Sequence, residues 1–420
     1  AAAPCRRGGP PFLPSKAVDG CRLLPKMPTL HETERKERAV LAEVVLTRDD
    51  PAEAADSLEE LRRLADTAGI EVVGQLTQSR LRPDGGLMFG KGKVEDLAAL
   101  VQETRADTVI FDNPLNAIQA FNLGKKLPGI RILDRTEIIL LIFSRRARSA
   151  EAQLQVELAR QEFLLQRIPV LQEQQRFGGG TTGLRGPGES RLQLRNRPIR
   201  KRIQDLKARL RKLESRPDNS EKRRWPLVSL VGYTNAGKST LLNLLTRSEA
   251  YVDDRLFATL DTKTRLARLS PSKQVLLTDT VGFIRNLPHD LVASFRSTLS
   301  VAARADLLLI VVDAAYPRVT DHLEVCFKTL KEIGAGDVPR LLVLNKCDTL
   351  PKTEPVDAAG GPHTLNLAHL TERYPQAIPV SAKTGFGIDL LKLAMIGELE
   401  KCCTLWQLPS ATSATSRRAP

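Results

Sequence analysis

Gly232-Tyr-Thr-Asn-Ala-Gly-Lys-Ser-Thr240 lies between an apolar run, residues 227–231, and a leucine-rich run that begins at Leu241. A segment of the form Gly-x-x-x-x-Gly-Lys-Ser between a predicted strand and a predicted helix is typical of a Walker A loop. Its glycines let successive backbone N–H groups curl around phosphates, and the helix adds the positive end of its dipole. We therefore expect Lys238 to reach the β- and γ-phosphates of a nucleotide and the Ser239 hydroxyl to bind Mg²⁺.

A second motif, Asp279-Thr-Val-Gly282, ends the next strong apolar run. There a carboxylate can hold Mg²⁺ through water, and the Gly282 N–H can sense a γ-phosphate. A segment that completes the Mg²⁺ shell is expected between the helix that follows the Walker A loop and Asp279. Residues 257–264 are the best candidate. Thr259 is the predicted ligand there, and Thr262 is the alternative. The residues expected at the reacting phosphate are Lys238, Thr259, Asp279 and Gly282.

Two further motifs predict selectivity for guanine. Asn345-Lys-Cys-Asp348 ends a later apolar run, and its Asp348 carboxylate can accept two hydrogen bonds from guanine N1 and N2, which adenine cannot donate. Ser381-Ala-Lys383 ends the last such run, where the Ala382 N–H is expected to meet guanine O6. Four motifs in this order predict a P-loop GTPase domain that binds GTP and GDP. The predicted nucleotide contacts are Gly232, Asn235, Ala236, Gly237, Lys238, Ser239, Thr240, Asn345, Lys346, Asp348, Ser381, Ala382 and Lys383.

The residue after Gly282 is Phe283, where Ras-like enzymes carry a glutamine that orients the attacking water. An aromatic side chain cannot orient water in this way. The sequence therefore predicts a low basal rate of hydrolysis and activation by a partner. Asn235 could hold a K⁺ ion that takes the place of an arginine finger, and ordinary capping of the loop is the alternative.

Outside the nucleotide motifs, the sequence predicts an α/β protein with two domains, a helical hairpin and two terminal tails. Strand-like and helical runs alternate over residues 39–146, as in a small parallel βα domain. Residues 150–166 and a seam of Ile199, Ile203, Leu206, Leu210 and Leu213 predict two helices that pair as an antiparallel hairpin. Glycine and proline exclude helix and strand from residues 177–189, which are expected to form the loop at the hairpin tip. The predicted parts are an N-terminal tail (1–38), an α/β domain (39–146), the hairpin with its basic second helix (147–222), a doubly wound, mostly parallel G domain (223–402) and a disordered tail (403–420).

Positive charge is concentrated in the second helix of this hairpin. Residues 185–224 contain 15 Lys and Arg and 5 Asp and Glu, a net of +10 out of +14 for the whole chain of 420 residues. A local basic surface usually indicates an acidic partner such as nucleic acid, and a solvated face without a partner is the alternative. RNA contacts are predicted for Arg185, Arg191, Arg195, Arg197, Arg200, Lys201 and Arg202.

Cysteine spacing, the length of apolar runs and the charge of the N-terminus bear on disulfides and zinc, on membrane insertion and on cellular location. The six cysteines form no CxxC pair, so neither a disulfide framework nor a zinc site is indicated. The longest apolar run, residues 138–143, is far shorter than a membrane span. Residues 1–27 contain five Lys and Arg and a single acid, which is similar to the remains of a mitochondrial transit peptide. The predicted location is therefore the mitochondrial matrix, with a plain disordered tail and a cytoplasmic location as the alternative.

From about residue 40 to residue 399 the chain resembles the HflX family of ribosome-associated GTPases. The GTPase motifs are shared by many relatives, so the resemblance rests on upstream motifs that occur in the family's order. These are Gly90-Lys-Gly-Lys, Phe111-Asp-Asn, Ile132-Leu-Asp-Arg-Thr-Glu-Ile-Ile-Leu, Arg145-Arg-Ala-Arg, Leu154-Gln-Val-Glu-Leu-Ala and the glycine-rich loop up to Glu189. The resemblance implies binding to the large ribosomal subunit and its rRNA, with the hairpin tip reaching toward the peptidyl transferase centre. It also implies a role in splitting ribosomes or in finishing their assembly.

The chain departs from the family pattern at two places. Gln193 and Arg195 stand where the family usually has acidic residues, which makes the segment more basic and favours a mitochondrial relative. Past Leu399 the sequence does not look like a family C-terminal domain. Some members' N-terminal domains have been linked to adenine nucleotides, but no Walker loop precedes Gly232, so that domain is expected to be mainly a docking surface for RNA or the ribosome.

The favoured hypothesis is a monomeric, Mg²⁺-dependent GTPase that acts on ribosomes. One alternative is a GTPase switch with a protein partner or a membrane-surface partner. Another is a non-enzymatic RNA-binding scaffold with a vestigial nucleotide site, against which the intact Lys238, Ser239, Asp279, Asn345 and Asp348 argue.

Overall fold

The structure is a computed structural model that describes residues 36–167, 191–214, 224–247, 256–257, 259–260, 262–285, 301–350 and 371–402. By its contacts the chain divides into residues 1–36 and residues 37–420, and the architecture below belongs to the second part. Residues 1–35 of the predicted N-terminal tail, the predicted C-terminal tail and the loop at residues 177–189, which includes Arg185, lie outside the described residues. Arg191 and Arg195 belong to a described helix, but their side chains are also outside the description.

The first domain is built on a four-stranded parallel sheet, which confirms the predicted small parallel βα domain. The strands are β1 (Arg38–Leu46), β2 (Glu71–Arg80), β3 (Thr108–Phe111) and β4 (Arg131–Asp134), in the order β2-β1-β3-β4. All neighbouring strands pair in parallel. The helices are α1 (Pro51–Thr67), α2 (Lys91–Thr104), α3 (Ala117–Lys126) and α4 (Arg135–Arg146).

Strand β4 and helix α4 have no counterpart among the predicted elements. The strand is four residues long and has a charged residue at each end. Helix α4 buries every residue from Ile138 to Phe143, so its apolar positions show no helical period. Its start is nevertheless marked in the sequence, because Asp134 and Glu137 form a capping box.

Two further helices, α5 (Ala150–Arg167) and α6 (Arg191–Glu214), pack on each other. Leu158, Ile203, Leu206 and Leu210 form a buried cluster between them, and Leu154, Leu165 and Ile199 pack against it. The predicted packing along this leucine and isoleucine seam is thereby confirmed. Ion pairs join Glu157 to Arg202 at 3.8 Å and Glu162 to Lys207 at 2.8 Å beside the seam.

The second domain contains a six-stranded sheet, in the order β10-β9-β8-β5-β7-β6. The strands are β5 (Leu227–Gly232), β6 (Lys263–Arg268), β7 (Gln274–Asp279), β8 (Leu307–Asp313), β9 (Arg340–Asn345) and β10 (Ile378–Pro379). All pairs are parallel except β6 with β7, as predicted for a doubly wound, mostly parallel sheet. Its described helices are α7 (Lys238–Thr246), α8 (Val319–Glu332) and α9 (Ile388–Cys402).

One apolar core extends from the first domain into the second. Leu64 and Phe143 of the first domain belong to the same buried cluster as Phe257 and Phe283 of the second. The rings of Phe143 and Phe257 meet edge to face, with centroids 4.7 Å apart. This shared core was not predicted from the sequence, and it places the first domain directly beside the nucleotide motifs.

Among the described helices, none combines the length and the apolar character that crossing a membrane requires.

Candidate nucleotide-binding site

The Walker A segment forms a tight loop between the end of β5 and the start of α7. Gly237, the residue before the helix, has a left-handed backbone with φ of +88°. A Cβ at this position would lie 2.3 Å from the Asn345 side-chain nitrogen, so both the backbone and the space require glycine. Asn235 also has a positive φ, and its exposed side chain makes no hydrogen bond within the described part of the chain. Thr240 follows Ser239 in the first turn of α7.

Lys238 spans the inside of this loop. Its Nζ donates to the carbonyl oxygens of Gly232 at 3.1 Å and Tyr233 at 2.8 Å. Burial lowers the pKa of the Lys238 ammonium, and the nearby Asp279 carboxylate opposes this effect. The two carbonyls hold the ammonium at the centre of the loop, which is where phosphates meet a Walker A lysine.

Three oxygen-bearing side chains meet beside Lys238. The Ser239 hydroxyl donates to Asp279 Oδ2 at 2.6 Å, and the Thr259 hydroxyl donates to the same oxygen at 2.9 Å. The Ser239 and Thr259 oxygens are 3.0 Å apart. Asp279 Oδ1 is buried without a hydrogen-bond partner among the described residues. Hard divalent cations prefer such an all-oxygen set, so these residues fit Mg²⁺.

The sequence left Thr259 and Thr262 as alternative ligands in this segment. The structure brings Thr259 into contact with Ser239 and Asp279. Thr262 lies just before β6 and makes no hydrogen bond to either residue in the described structure.

The Asp279 motif leads directly against the phosphate loop. A Cβ at Gly282 would lie 2.8 Å from Thr234 Cα and 3.0 Å from Lys238 Nζ, so no larger residue fits there without displacing the loop. The Phe283 N–H donates to the Gly232 carbonyl at 3.0 Å, and the Thr234 N–H donates to the Phe283 carbonyl at 2.8 Å. The Phe283 ring is buried in the shared apolar core.

The predicted base-binding residues also converge. Asn345 donates from Nδ2 to the Ala236 carbonyl at 2.8 Å and accepts the Ala382 N–H on Oδ1 at 3.0 Å. The Ser381 hydroxyl donates to Asp348 Oδ1 at 2.7 Å. Because the Ala382 N–H is bonded to Asn345 here, its predicted contact with guanine O6 stays a prediction.

The Asn345 and Ser381 motifs each contain a predicted nucleotide-binding lysine, Lys346 and Lys383. Lys346 has a left-handed backbone and pairs with Asp313 at 2.8 Å. Lys383 is exposed.

The predicted RNA-binding residues that the structure describes lie on α6. Arg197, Arg200, Lys201 and Arg202 are exposed, whereas Ile203, Leu206 and Leu210 of the same helix face α5. The basic side chains therefore occupy the part of the helix surface that the seam leaves open.

Sequence reasoning missed the polar contacts between the first domain and the second. Tyr233 of the phosphate loop donates its hydroxyl hydrogen to Glu60 of α1, a residue 173 positions earlier in the chain. Leu256 donates its N–H to the Thr67 hydroxyl at 3.2 Å. Neither contact has a local sequence signal, because each joins residues that only the folded chain brings together.

Known protein families match the first domain, the two helices after it and the second domain separately. Three family models match in order: GTP-binding GTPase N-terminal over residues 55–144, GTP-binding GTPase Middle Region over 146–224, and 50S ribosome-binding GTPase over 227–346. Among solved structures, the chain is similar to the GDP complex of SsGBP, with 24% identity, a TM-score of 0.47, and coverage of 89% of this chain and 100% of that one.

Two curated relatives are similar along most of their length. GTPase HflX of Caldanaerobacter subterraneus subsp. tengcongensis is 44% identical over 370 residues, which cover 87% of this chain and 81% of the relative. GTPase HflX of Escherichia coli is 41% identical over 367 residues, covering 86% and 83% respectively. With this identity over both domains and the helices between them, the chain belongs to the HflX family of GTPases, enzymes that hydrolyse GTP.

Proposed function

We propose that this GTPase acts on ribosomes, binding the large subunit near the peptidyl transferase centre to split ribosomes or to assist late assembly of the subunit. The observation that carries the proposal is the exposed basic face of α6, formed by Arg197, Arg200, Lys201 and Arg202. In the chain it precedes a domain that matches the family model described as a 50S ribosome-binding GTPase. A helix that buries its apolar residues on one side and exposes Arg197, Arg200 and Lys201, with Arg202 beside the seam against Glu157, suits a polyanionic partner.

Electrostatics favours RNA as that partner. Phosphate contacts by Lys and Arg supply most of the affinity for RNA and weaken steeply as salt rises. The net charge of +10 over residues 185–224 is large enough to dominate binding at low salt. We infer that the α6 face anchors the protein on rRNA while the glycine-rich loop supplies reach and shape.

The nucleotide site would govern this attachment. In the proposed complex with GTP, Lys238 would contact the β- and γ-phosphates, and Ser239, Thr259 and Asp279 would hold Mg²⁺, with Asp279 doing so through water. When bound, Mg²⁺ neutralises charge that develops on the transferring phosphate. The Asp279 oxygen without a described partner supports this assignment. GTP then favours the attached form, and hydrolysis releases the protein.

Co-sedimentation with isolated ribosomal subunits tests the proposal. The wild-type chain should pellet with large subunits in a non-hydrolysable GTP analogue and dissociate in GDP. The variant Arg200→Glu/Lys201→Glu should bind more weakly and show a flatter dependence on salt, with unchanged affinity for GTP. The matched control is Lys328→Glu/Lys331→Glu, which makes the same charge change at exposed positions of α8.

The control variant should sediment like the wild type. Equal binding of wild type and Arg200→Glu/Lys201→Glu across a salt series would show that α6 is not the anchor. Equal sedimentation in GTP analogue and in GDP would contradict the switch.

A further inference from the structure

The side chain of Tyr233 points out of the phosphate loop and into the first domain. Its hydroxyl donates to Glu60 of α1 and accepts the N–H of Arg285 at 2.9 Å. Its ring stacks on His322, with centroids 3.7 Å apart and planes within 8°. His322 stacks in the same way on Tyr316, at 4.0 Å and 12°. Tyr233 is therefore held at its ring and at its hydroxyl, and the hydroxyl hydrogen bond crosses to another domain.

Glu60 is itself held by a buried network of charges. Arg135 of α4 pairs with Glu60 and, at 2.6 Å, with Asp112. The Ser57 hydroxyl donates to the other oxygen of Asp112 at 2.7 Å. Burial lowers the pKa of Arg135, but Asp112 and Glu60 raise it by more, so the guanidinium stays charged. Removing one member of a buried pair leaves an uncompensated charge and is strongly destabilising, so the network holds Glu60 in place.

The backbone of Tyr233 is one of the two places where the loop holds Lys238, the other being the Gly232 carbonyl. The Tyr233 carbonyl oxygen accepts the Lys238 ammonium at 2.8 Å. The residues on either side of it, Gly232 and Thr234, make the two backbone hydrogen bonds to Phe283. Any shift of Tyr233 therefore moves Lys238 and the segment that follows Asp279 together.

The same face of the first domain also meets other segments of the nucleotide site. The backbone N–H of Arg285 donates to the Tyr233 hydroxyl. The Arg285 guanidinium pairs with Asp321 of α8 at 2.9 Å and lies 3.9 Å from Glu53 of α1. Phe143 packs on Phe257, beside Thr259. The hydrogen bond between Glu60 and Tyr233 is therefore one of several contacts between the first domain and the nucleotide site.

We propose that Glu60, a residue of the first domain, is a positioning residue for GTP hydrolysis, because it fixes Tyr233 and through it the Lys238 ammonium. The inference goes beyond the ribosomal proposal and rests only on the GTPase activity of the family. The first domain then forms part of the hydrolytic machinery even when no partner is bound.

Steady-state hydrolysis by the full chain without ribosomes tests this inference. Either change removes the hydrogen bond that fixes Tyr233 and so loosens the hold on the Lys238 ammonium, so Glu60→Ala and Tyr233→Phe should each lower kcat about tenfold or more. The KM for GTP should change less than about threefold, because the phosphate contacts of the loop backbone remain. Since both changes break one linkage, the double variant should be no slower than the slower single variant.

Two further variants separate positioning from folding. Glu60→Gln keeps a hydrogen-bond acceptor for Tyr233 and should recover most of kcat. Glu59→Ala changes the neighbouring residue, whose side chain is exposed, and should match the wild type. Thermal unfolding and GDP titration check that each variant is folded.

The proposal is overturned if Glu60→Ala lowers only the unfolding temperature and leaves kcat unchanged. It is also overturned if the Glu60→Ala and Tyr233→Phe effects multiply, or if Glu60→Ala raises kcat. Failure of the wild type to sediment with ribosomes would contradict the proposed function alone, because these rates are measured without ribosomes.

Discussion

The Asn345 side chain donates to the carbonyl oxygen of Ala236 over 2.8 Å and thereby ties the base-binding motif to the phosphate loop. Its other amide atom accepts the Ala382 N–H, so one buried side chain joins three of the four nucleotide motifs. Asp348, three residues later, lies outside this linkage and bonds to Ser381 instead. The two residues should therefore have separable effects on nucleotide binding.

Asp348→Asn should change which base is bound without damaging the phosphate loop. A carboxylate matches two donors that guanine presents, and an amide cannot accept both, so preference should move from GTP toward XTP. Loss of a charged acceptor contributes about 1.5 to 3 kcal/mol, which corresponds to a fall in GTP affinity of about tenfold or more. Titration with GTP and XTP measures the effect. Asn345→Ala is the contrasting variant and should weaken both nucleotides alike, and an unchanged GTP affinity in Asp348→Asn would remove the assignment.

Thr259→Ala should weaken the use of Mg²⁺ in the GTP complex. The Thr259 hydroxyl lies 3.0 Å from Ser239 and 2.9 Å from Asp279, so its loss removes one oxygen from the donor set. We expect the Mg²⁺ concentration for half-maximal hydrolysis to rise about tenfold, with little change in GDP affinity. Thr262→Ala is the matched control and should behave as the wild type. The opposite ranking of the two variants would assign the ligand to Thr262.

Hydrolysis by the isolated chain should be slow, and large ribosomal subunits should accelerate it. The buried ring of Phe283 cannot orient water, so the group that does so must come from elsewhere. If the exposed Asn235 holds a K⁺ ion, then replacing Na⁺ by K⁺ should raise the rate, and Asn235→Ala should abolish the difference. Rapid turnover without subunits, equal in both salts, would contradict both parts.

The stacked imidazole of His322 should make stability depend on pH. Burial lowers its pKa from 6.5 to about 3, with a further contribution from Arg285. Because the folded pKa lies below the unfolded one, the stabilisation is complete above about pH 6.5 and is lost as the pH falls toward 3. His322→Phe keeps the stack on Tyr233 and Tyr316 but cannot be protonated. Between pH 7 and pH 4 it should lose about 3 kcal/mol less unfolding free energy than the wild type, and parallel curves in urea unfolding would refute this.

How far the sequence predicts this molecule depends on the range of the interactions concerned. The nucleotide motifs were predictable because each lies at a strand end and its chemistry is local, as with Lys238 and Asp348. Helix α4 was not, because burial on all sides removes the period that identifies a helix. The Glu60 to Tyr233 hydrogen bond was not predictable either, because its partners are 173 residues apart and depend on how two domains pack.

Deletion of residues 178–188 should separate anchoring from action on the ribosome. This glycine-rich loop lies outside the described residues and carries one charge, Arg185, whereas the exposed cations lie on α6. Because phosphate neutralisation by those cations dominates affinity, the deletion should spare most binding to large subunits but abolish the effect on ribosomes, measured as splitting in sucrose gradients. Arg185→Ala is the matched control, since it removes the same charge and keeps the loop, and it should retain splitting. A deletion variant that still splits ribosomes would show that the loop is not the acting element, and one that no longer binds would place the anchor in the loop.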